Sequence, residues 1–415
     1  MRCLKDSTKQ HLAFSSRHAL RCNTMKEGSR SASASILTSE RVRAVCVSMI
    51  VANFAMVVIS FFGHNTTTPF GTSLGGDFPV FYYAGVGLNR HSKIYQSDEV
   101  DRMLAEAGYP ESPLPFLYPP FFATLFRPLA LLKYSYAYAV WIVIVIGAYL
   151  AAFEFLWPVA RLPENEKQNA RLVVLAFAFF QTYSLAIGQQ SWFGFLWFAI
   201  AQSLLFKRRE FLAGVALSAC LYKPPLLLII APALVLRGRF KIIGGLLTGS
   251  VFLALLSLIA VGASDCSDYA TTLLGALGNK SSVATDFPLW KYVDIVAFSN
   301  LLIHRSVGFW VLVPSVISVI AMRPRLTDGM AWSLPINIYV PIYDVSLVAI
   351  PALLFHRYAS KRGRWLYVIL FCAPWVSEFL ARKLSFQPIT LLLLVFAIYC
   401  SRLQRTQIEL KPNST

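Results

Sequence analysis

The run YSYAYAVWIVIVIGAYLAAFEFLW, residues 134–157, decides the fold class. Its 24 residues carry one charge, Glu154, near the end. As a helix it would extend about 36 Å, more than the roughly 30 Å of hydrocarbon in a bilayer. Outward from this run the same signature recurs. Val42 to Phe62, Leu172 to Ile187, Trp192 to Phe206, Phe211 to Tyr222, Pro225 to Leu236 and Ile242 to Val261 are apolar runs of the first half. Val307 to Met322, Met330 to Val340, Ile342 to His356, Trp365 to Leu380 and Gln387 to Cys400 follow in the second. Of 415 residues, 56% are hydrophobic and only 14% charged, which is too apolar for a soluble chain of this size. The expected fold is an all-α polytopic membrane protein of about 10–12 transmembrane helices.

Charge orients the spans. With the amino terminus inside, the basic loops RLPENEKQNAR, KRRE, RGRFK, RPR and HRYASKRGR and the SRLQR tail all fall on the cytoplasmic side. That side then holds 27 of the 38 Lys and Arg, against 11 outside. Both termini are therefore expected in the cytoplasm. The net charge of +17 is explained by this bias, so no nucleic-acid partner is expected. Residues 1–41 read as a disordered basic tail, not a cleavable signal peptide, because the apolar run that follows is long and lacks a small-residue cleavage site. Residues 42–401 read as the membrane domain and 402–415 as a second cytoplasmic tail. The seven cysteines are scattered without CxxC spacing, which argues against a disulfide framework or a metal cluster.

Two external loops follow from the topology, 63–133 and 262–305, and loops of such length are usually functional or structured. The first contains GGDFPVFYYAG, residues 75–85, then the proline-broken segment LYPPFFATLFRPLALLKY, which suits a helix lying at the membrane surface. Asp77 has two readings. Two residues ahead of Pro79 and before an apolar helix, it suits a helix cap; amid Gly75, Gly76, Phe78, Tyr82 and Tyr83 it also suits a partly desolvated base of raised pKa. Other polar residues share its level: Gln189 and Gln190 in GQQS, Lys223 in YKPP, and Tyr343 and Asp344 in VPIYDVS. Lys223 reads as a snorkelling lysine or as a counter-charge for phosphate, and Asp344 as an N-cap or a binding residue. Asp98, Glu99 and Asp101 form a small acidic cluster that reads as a solvated face, with a metal site as the alternative.

The order DFPVFYYAG, YPPFFATLFRPLALL, GQQS, LAGVALSACLYKPPLLLIIAPALVLRGRFK, YVPIYDVSLVAIPALL resembles glycosyltransferase family 87 from about residue 42 to residue 356. The resemblance implies a GT-C-type helical bundle whose active site faces away from the cytoplasm, in a cell (inner) membrane. It implies transfer of a hexose or pentose, with mannose foremost, from a polyprenyl-phosphate donor to a hydroxyl of a glycan or glycolipid acceptor. Asp77 would be the catalytic base of an inverting reaction. Lys223 and Arg127 would offset the leaving phosphate, and Tyr82, Gln189, Tyr343 and Asp344 would contact donor or sugar. No cofactor and no metal ligand is assigned, the lipid-linked sugar being a substrate. The segment LGNKSSVATDFPLW departs from the family pattern, in which an Asn-x-Ser element is followed by small residues. A transporter or a non-catalytic membrane subunit is the alternative; the chain shows no convincing internal repeat of the kind transporters carry.

Overall fold

The computed structural model describes residues 40–62, 75–95, 99–106, 116–182, 188–281 and 289–409. The tails 1–39 and 410–415, the loop residues 63–74 and 282–288, the span end 183–187 and Asp98 lie outside the described residues. Among the described residues every regular element is helical, and Tyr292 and Pro341 form an isolated antiparallel bridge. The helices are α1 (Glu40–Phe62), α2 (Phe78–Asn89), α3 (Glu99–Glu106), α4 (Pro120–Ala123), α5 (Tyr134–Ala160), α6 (Lys167–Thr182), α7 (Ser191–Phe206) and α8 (Glu210–Ser218). They continue as α9 (Ile230–Leu236), α10 (Phe240–Ser281), α11 (Ile295–Ile303), α12 (Gly308–Ala321), α13 (Leu326–Trp332), α14 (Ala349–Phe355), α15 (Lys361–Leu384) and α16 (Pro388–Glu409).

Residues 134–157 make up most of α5. One stripe, Tyr138, Trp141, Val145, Tyr149 and Ala152, is buried at three- and four-residue spacing. The opposite side is also apolar: Tyr136 and Val143 are 65% and 68% exposed. A helix that is oily all round, with half of its surface unburied by protein, belongs in lipid. By length and hydropathy three helices can cross a membrane, Tyr134–Ala160, Phe240–Gly275 and Pro388–Thr406, and a fourth if the bent pair Lys361–Pro374 and Val376–Leu384 is one span. The segments Ser191–Phe206, Glu210–Tyr222, Pro224–Leu236 and Gly308–Ala321 are apolar but only 10–17 residues long. The protein is thus a membrane-embedded helical bundle.

α8 packs on α10 at backbone contact. A Cβ at Gly214 would stand 2.7 Å from the Leu246 amide nitrogen, and one at Gly245 3.0 Å from that of Val215. Small residues permit this approach, which in lipid replaces hydrophobic burial as the source of helix association.

Three expectations change. The expected span Met330 to Val340 is helical only to Trp332. Beyond it Pro335 lacks a donor for the helix ladder, and the Asn337 amide donates to the carbonyls of Ser333 (2.6 Å) and Pro225 (2.9 Å), tying an irregular segment into the bundle. The expected loop from 262 is helical as far as Ser281, because α10 resumes after a break at Gly262, whose φ of 80° departs from the helix. The segment from Leu117 to Lys133 is a series of turns, not one surface helix: α4 is followed by 3₁₀ turns at Thr124–Phe126 and Leu129–Leu131, interrupted by Pro128. Phe121, Phe122 and Phe126 are buried there, with Phe126 stacked on Phe81 of α2 at 5.1 Å.

Candidate active site

The site is assembled from chain segments that end at the same level of the bundle. Gly75 and Gly188 both take positive φ, 81° and 72°. A Cβ on Gly188 would lie 2.5 Å from the Phe78 amide nitrogen, so only glycine lets the GQQS turn press against the start of α2. That contact brings Gln189 to Asp77. The Gln189 amide nitrogen donates to Asp77 Oδ2. Gln190 holds the turn from beneath: its Nε2 donates to the Gly188 carbonyl at 2.8 Å, and its Oε1 accepts from the Trp192 indole at 2.9 Å.

Asp77 sits at the N-cap position of α2, but its side chain makes no capping bond, and Pro79 in the first turn removes one of the donors a cap would satisfy. The carboxylate points to Gln189 instead. The residue is exposed, yet the protein packed around it pushes its carboxyl above the usual carboxylate value. The Gln189 bond and the positive charges of Lys291 and Lys223 pull in the other direction without cancelling the rise.

Lys223 and Asp344 form a buried ion pair, Nζ to Oδ2 at 2.6 Å, with side chains 5% and 0% exposed. Ser191 Oγ donates to the other carboxylate oxygen at 2.8 Å. Asp344 caps no helix; it lies inside the 3₁₀ segment Ile342–Val348. The rings of Tyr343 and Tyr339 flank the ammonium at 5.0 and 5.8 Å. Beside it a cavity of about 30 Å³, lined by Tyr118, Pro224 and Leu273, has room for a water but not for a sugar. Burial, followed by the Tyr339 phenol and the carboxylates Asp344 and Asp77, raises the phenol of Tyr118, which therefore stays protonated.

A further segment, 289–294, joins this group. Val293 N–H donates to the Val340 carbonyl at 2.9 Å, and Asp294 caps α11 through Ala297 N–H at 3.0 Å while accepting from Val340 N–H at 2.9 Å. Gln387 fixes the Trp290 carbonyl at 2.9 Å. These bonds carry Lys291 into the electrostatic reach of Asp77. Lys291 is exposed, rests on the Trp290 ring at 5.2 Å, and has no carboxylate partner among the described residues.

Of the residues singled out from sequence, the structure gathers Asp77, Gln189, Lys223, Tyr343 and Asp344. It does not gather Arg127 or Tyr82. Arg127 Nε donates to Asn89 Oδ1 at 3.0 Å at the far end of α2, a helix of 12 residues and so about 18 Å from the Asp77 end. Tyr82 donates its hydroxyl to the Leu132 carbonyl at 2.8 Å and packs on Tyr134, a structural tie. Lys291 and Tyr118 join the site without having been site candidates from the sequence, whereas Ser191 shared the outer level of Gln189 and Gln190 there but was assigned no role. Their one signal is adjacency to prolines and aromatics in YPP, WKYVD and QQSW, which marks irregular backbone at a membrane surface.

Searches of curated proteins and of solved structures return no match. The sequence profile of glycosyltransferase family 87 matches residues 116–334, a stretch that holds the GQQS turn, Lys223 and Lys291 and lies between Asp77 and the Tyr343–Asp344 pair. Matched over more than half of its length, the chain belongs to glycosyltransferase family 87 and is a membrane glycosyltransferase.

Proposed function

We propose that the protein transfers a sugar, with mannose as the first candidate among hexoses and pentoses, from a polyprenyl-phosphate donor to a hydroxyl of a glycan or glycolipid acceptor. The reaction takes place at the non-cytoplasmic face of the cell membrane, within a GT-C-type bundle spanning residues 42–401, with both termini in the cytoplasm. The observation that carries this reading is the contrast between two carboxylates. Asp77 is accessible, uncapped and of raised proton affinity; Asp344 is wholly buried with both oxygens engaged, one by Lys223 and one by Ser191. One group is fit to take a proton, the other to hold structure.

Asp77 accepts the acceptor hydroxyl proton as that oxygen bonds to the anomeric carbon. The bond from that carbon to the phosphate oxygen breaks on the opposite side, and the lipid phosphate leaves with the electron pair. A retaining route needs a second carboxylate as nucleophile, and Asp344 has no oxygen to offer; inversion follows. Gln189 orients the base through its amide nitrogen. Its buried Oε1 has no partner among the described residues. Because Lys223 is committed to Asp344, Lys291, with no carboxylate partner among the described residues, is the better cation for the leaving phosphate. Lys223 and Tyr343 support the site from behind. The basic loops 161–171, 207–209, 237–241 and 357–364 favour the proposed orientation.

The test is product identification. Purified protein is incubated with radiolabelled polyprenyl-phosphate mannose, glucose and arabinose, and with nucleotide-sugar controls, in the presence of membrane glycolipid extract. Label transferred from a polyprenyl-phosphate sugar, with inverted anomeric configuration, is expected. Transfer from the nucleotide sugars alone would refute the donor class.

A further inference from the structure

The other end of the bundle contains a hollow for which sugar transfer at Asp77 has no use. α7 begins at Ser191 beside the candidate site, and Gln202, eleven residues along it, is about 17 Å away on the helix axis. There Gln202 meets Arg237, Arg239, Arg325, Thr327 and Gln404 around a cavity of about 330 Å³. This volume is in the range of small-ligand sites.

Basic residues at one end of a membrane bundle usually serve topology alone, and then they spread into solvent. Here two loops far apart in sequence, after α9 and before α13, point arginines at one hollow. Their charges are only partly matched. Arg239 pairs with Glu210 at 2.9 Å, and Arg237 donates to the Arg323 carbonyl at 2.7 Å. Arg325 forms no ion pair among the described residues; the Asp328 carboxylate accepts the Arg325 backbone N–H on Oδ1 at 2.7 Å, and its charge is shared between Arg237 and Arg325. Burial and the positive charge of Arg325, followed by those of Arg239 and Arg323, work against the charge on Arg237, and the Asp328 carboxylate offsets them only in part. An anion in the cavity would relieve that repulsion. The adjoining surface is apolar: Leu236, Phe240 and Met322 are 46%, 70% and 44% exposed next to the arginines. Acyl chains would cover that surface.

We propose that the cavity walled by Arg237, Arg239 and Arg325 binds a phosphate-bearing anion, with guanidinium forks on its oxygens. Its source is either the headgroup of an anionic phospholipid, which the apolar rim would suit, or free phosphate. The site is separate from the candidate active site, and its occupancy can be read without any sugar-transfer assay.

The full chain in detergent is titrated with phosphatidylglycerol, with phosphatidylcholine and with inorganic phosphate, and adducts are counted by native mass spectrometry. Phosphatidylglycerol is expected to bind at least about tenfold more tightly than phosphatidylcholine, and the Arg237→Gln/Arg325→Gln pair to weaken it about tenfold or more, since each charge-assisted bond contributes about a factor of ten. Arg237→Lys/Arg325→Lys is expected to keep part of the preference. Inorganic phosphate binding with the same sensitivity would support the proposal with the free anion as its source. Equal binding of both lipids with no phosphate adduct, or wild-type affinity in the glutamine pair, would overturn it. Should the glutamine pair not fold, Arg325→Gln alone gives the same comparison while leaving the Arg239–Glu210 pair intact.

Discussion

Asp344→Asn tests the arrangement behind the proposed base. The substitution preserves shape and can still accept from Ser191, but it leaves the Lys223 ammonium 5% exposed with no anion against it. Removing one partner of a buried ion pair costs about 3–5 kcal/mol, more than the pair contributes over an apolar replacement. For 415 residues unfolding together, an entropy of about 2.1 cal/mol/K per residue gives about 0.9 kcal/mol/K, so the melting point falls by roughly 3–6 °C. A smaller cooperative unit would shift further. Removing both charges, in Lys223→Met/Asp344→Leu, restores melting to within about 2 °C of wild type, because two well-packed apolar side chains leave no buried charge. Tryptophan-fluorescence melting in one detergent measures all three proteins. Were Lys223 instead a solvent-facing cation awaiting phosphate, Asp344→Asn would melt with the wild type. That result, or a double variant as unstable as the single one, refutes the pairing.

Other consequences follow from the same geometry. Gln189→Leu removes a donor that holds the Asp77 proton affinity down, so the pKa rises further. A base works deprotonated, so activity is present above its pKa and lost as pH falls through it. The acid limb of the kcat/KM profile therefore moves to higher pH, and an unmoved limb would separate Gln189 from the base. Lys291→Gln is expected to lower kcat about 10-fold to 100-fold while leaving the melting point unchanged, because the residue is exposed and ties nothing to the fold. Burial pushes the Asp328 carboxyl up from 3.8 to about 6, so between those values the folded state holds the proton more tightly than the unfolded one. Its contribution to stability accordingly falls as pH rises through that window. Asp328→Asn is expected to flatten this pH dependence of the melting point, and an unchanged slope would show that another group causes it.

The membrane class was legible from residues 134–157, since hydropathy and length alone determine whether a helix can live in lipid, and α5 extends only three residues beyond that run. The candidate site was legible as a level: Asp77, Gln189, Lys223 and Asp344 all lie at ends of apolar runs, and topology put those ends together. Which of them touch was not. Lys223 and Asp344 are 121 residues apart, and Asp77 and Gln189 are 112 apart. No local pattern encodes such pairings, which arise when short helices and turns pack. Arg127 illustrates the opposite failure. It lies in the same loop as Asp77, but loop membership carries no distance, and α2 holds the two residues at opposite ends. The irregular stretch after Trp332 was read as a span because its apolar content mimics one; Pro335 and the ties of Asn337 to the Ser333 and Pro225 carbonyls prevent the helix.

Asp77→Asn, assayed for transfer from the polyprenyl-phosphate sugar that the wild-type protein accepts, tests the assignment of the base most directly. The amide keeps the shape of the side chain and can no longer take a proton. A rate about 10²-fold to 10⁴-fold below wild type, with an unchanged melting point, is expected. Transfer at the wild-type rate would contradict the assignment of Asp77 as the base.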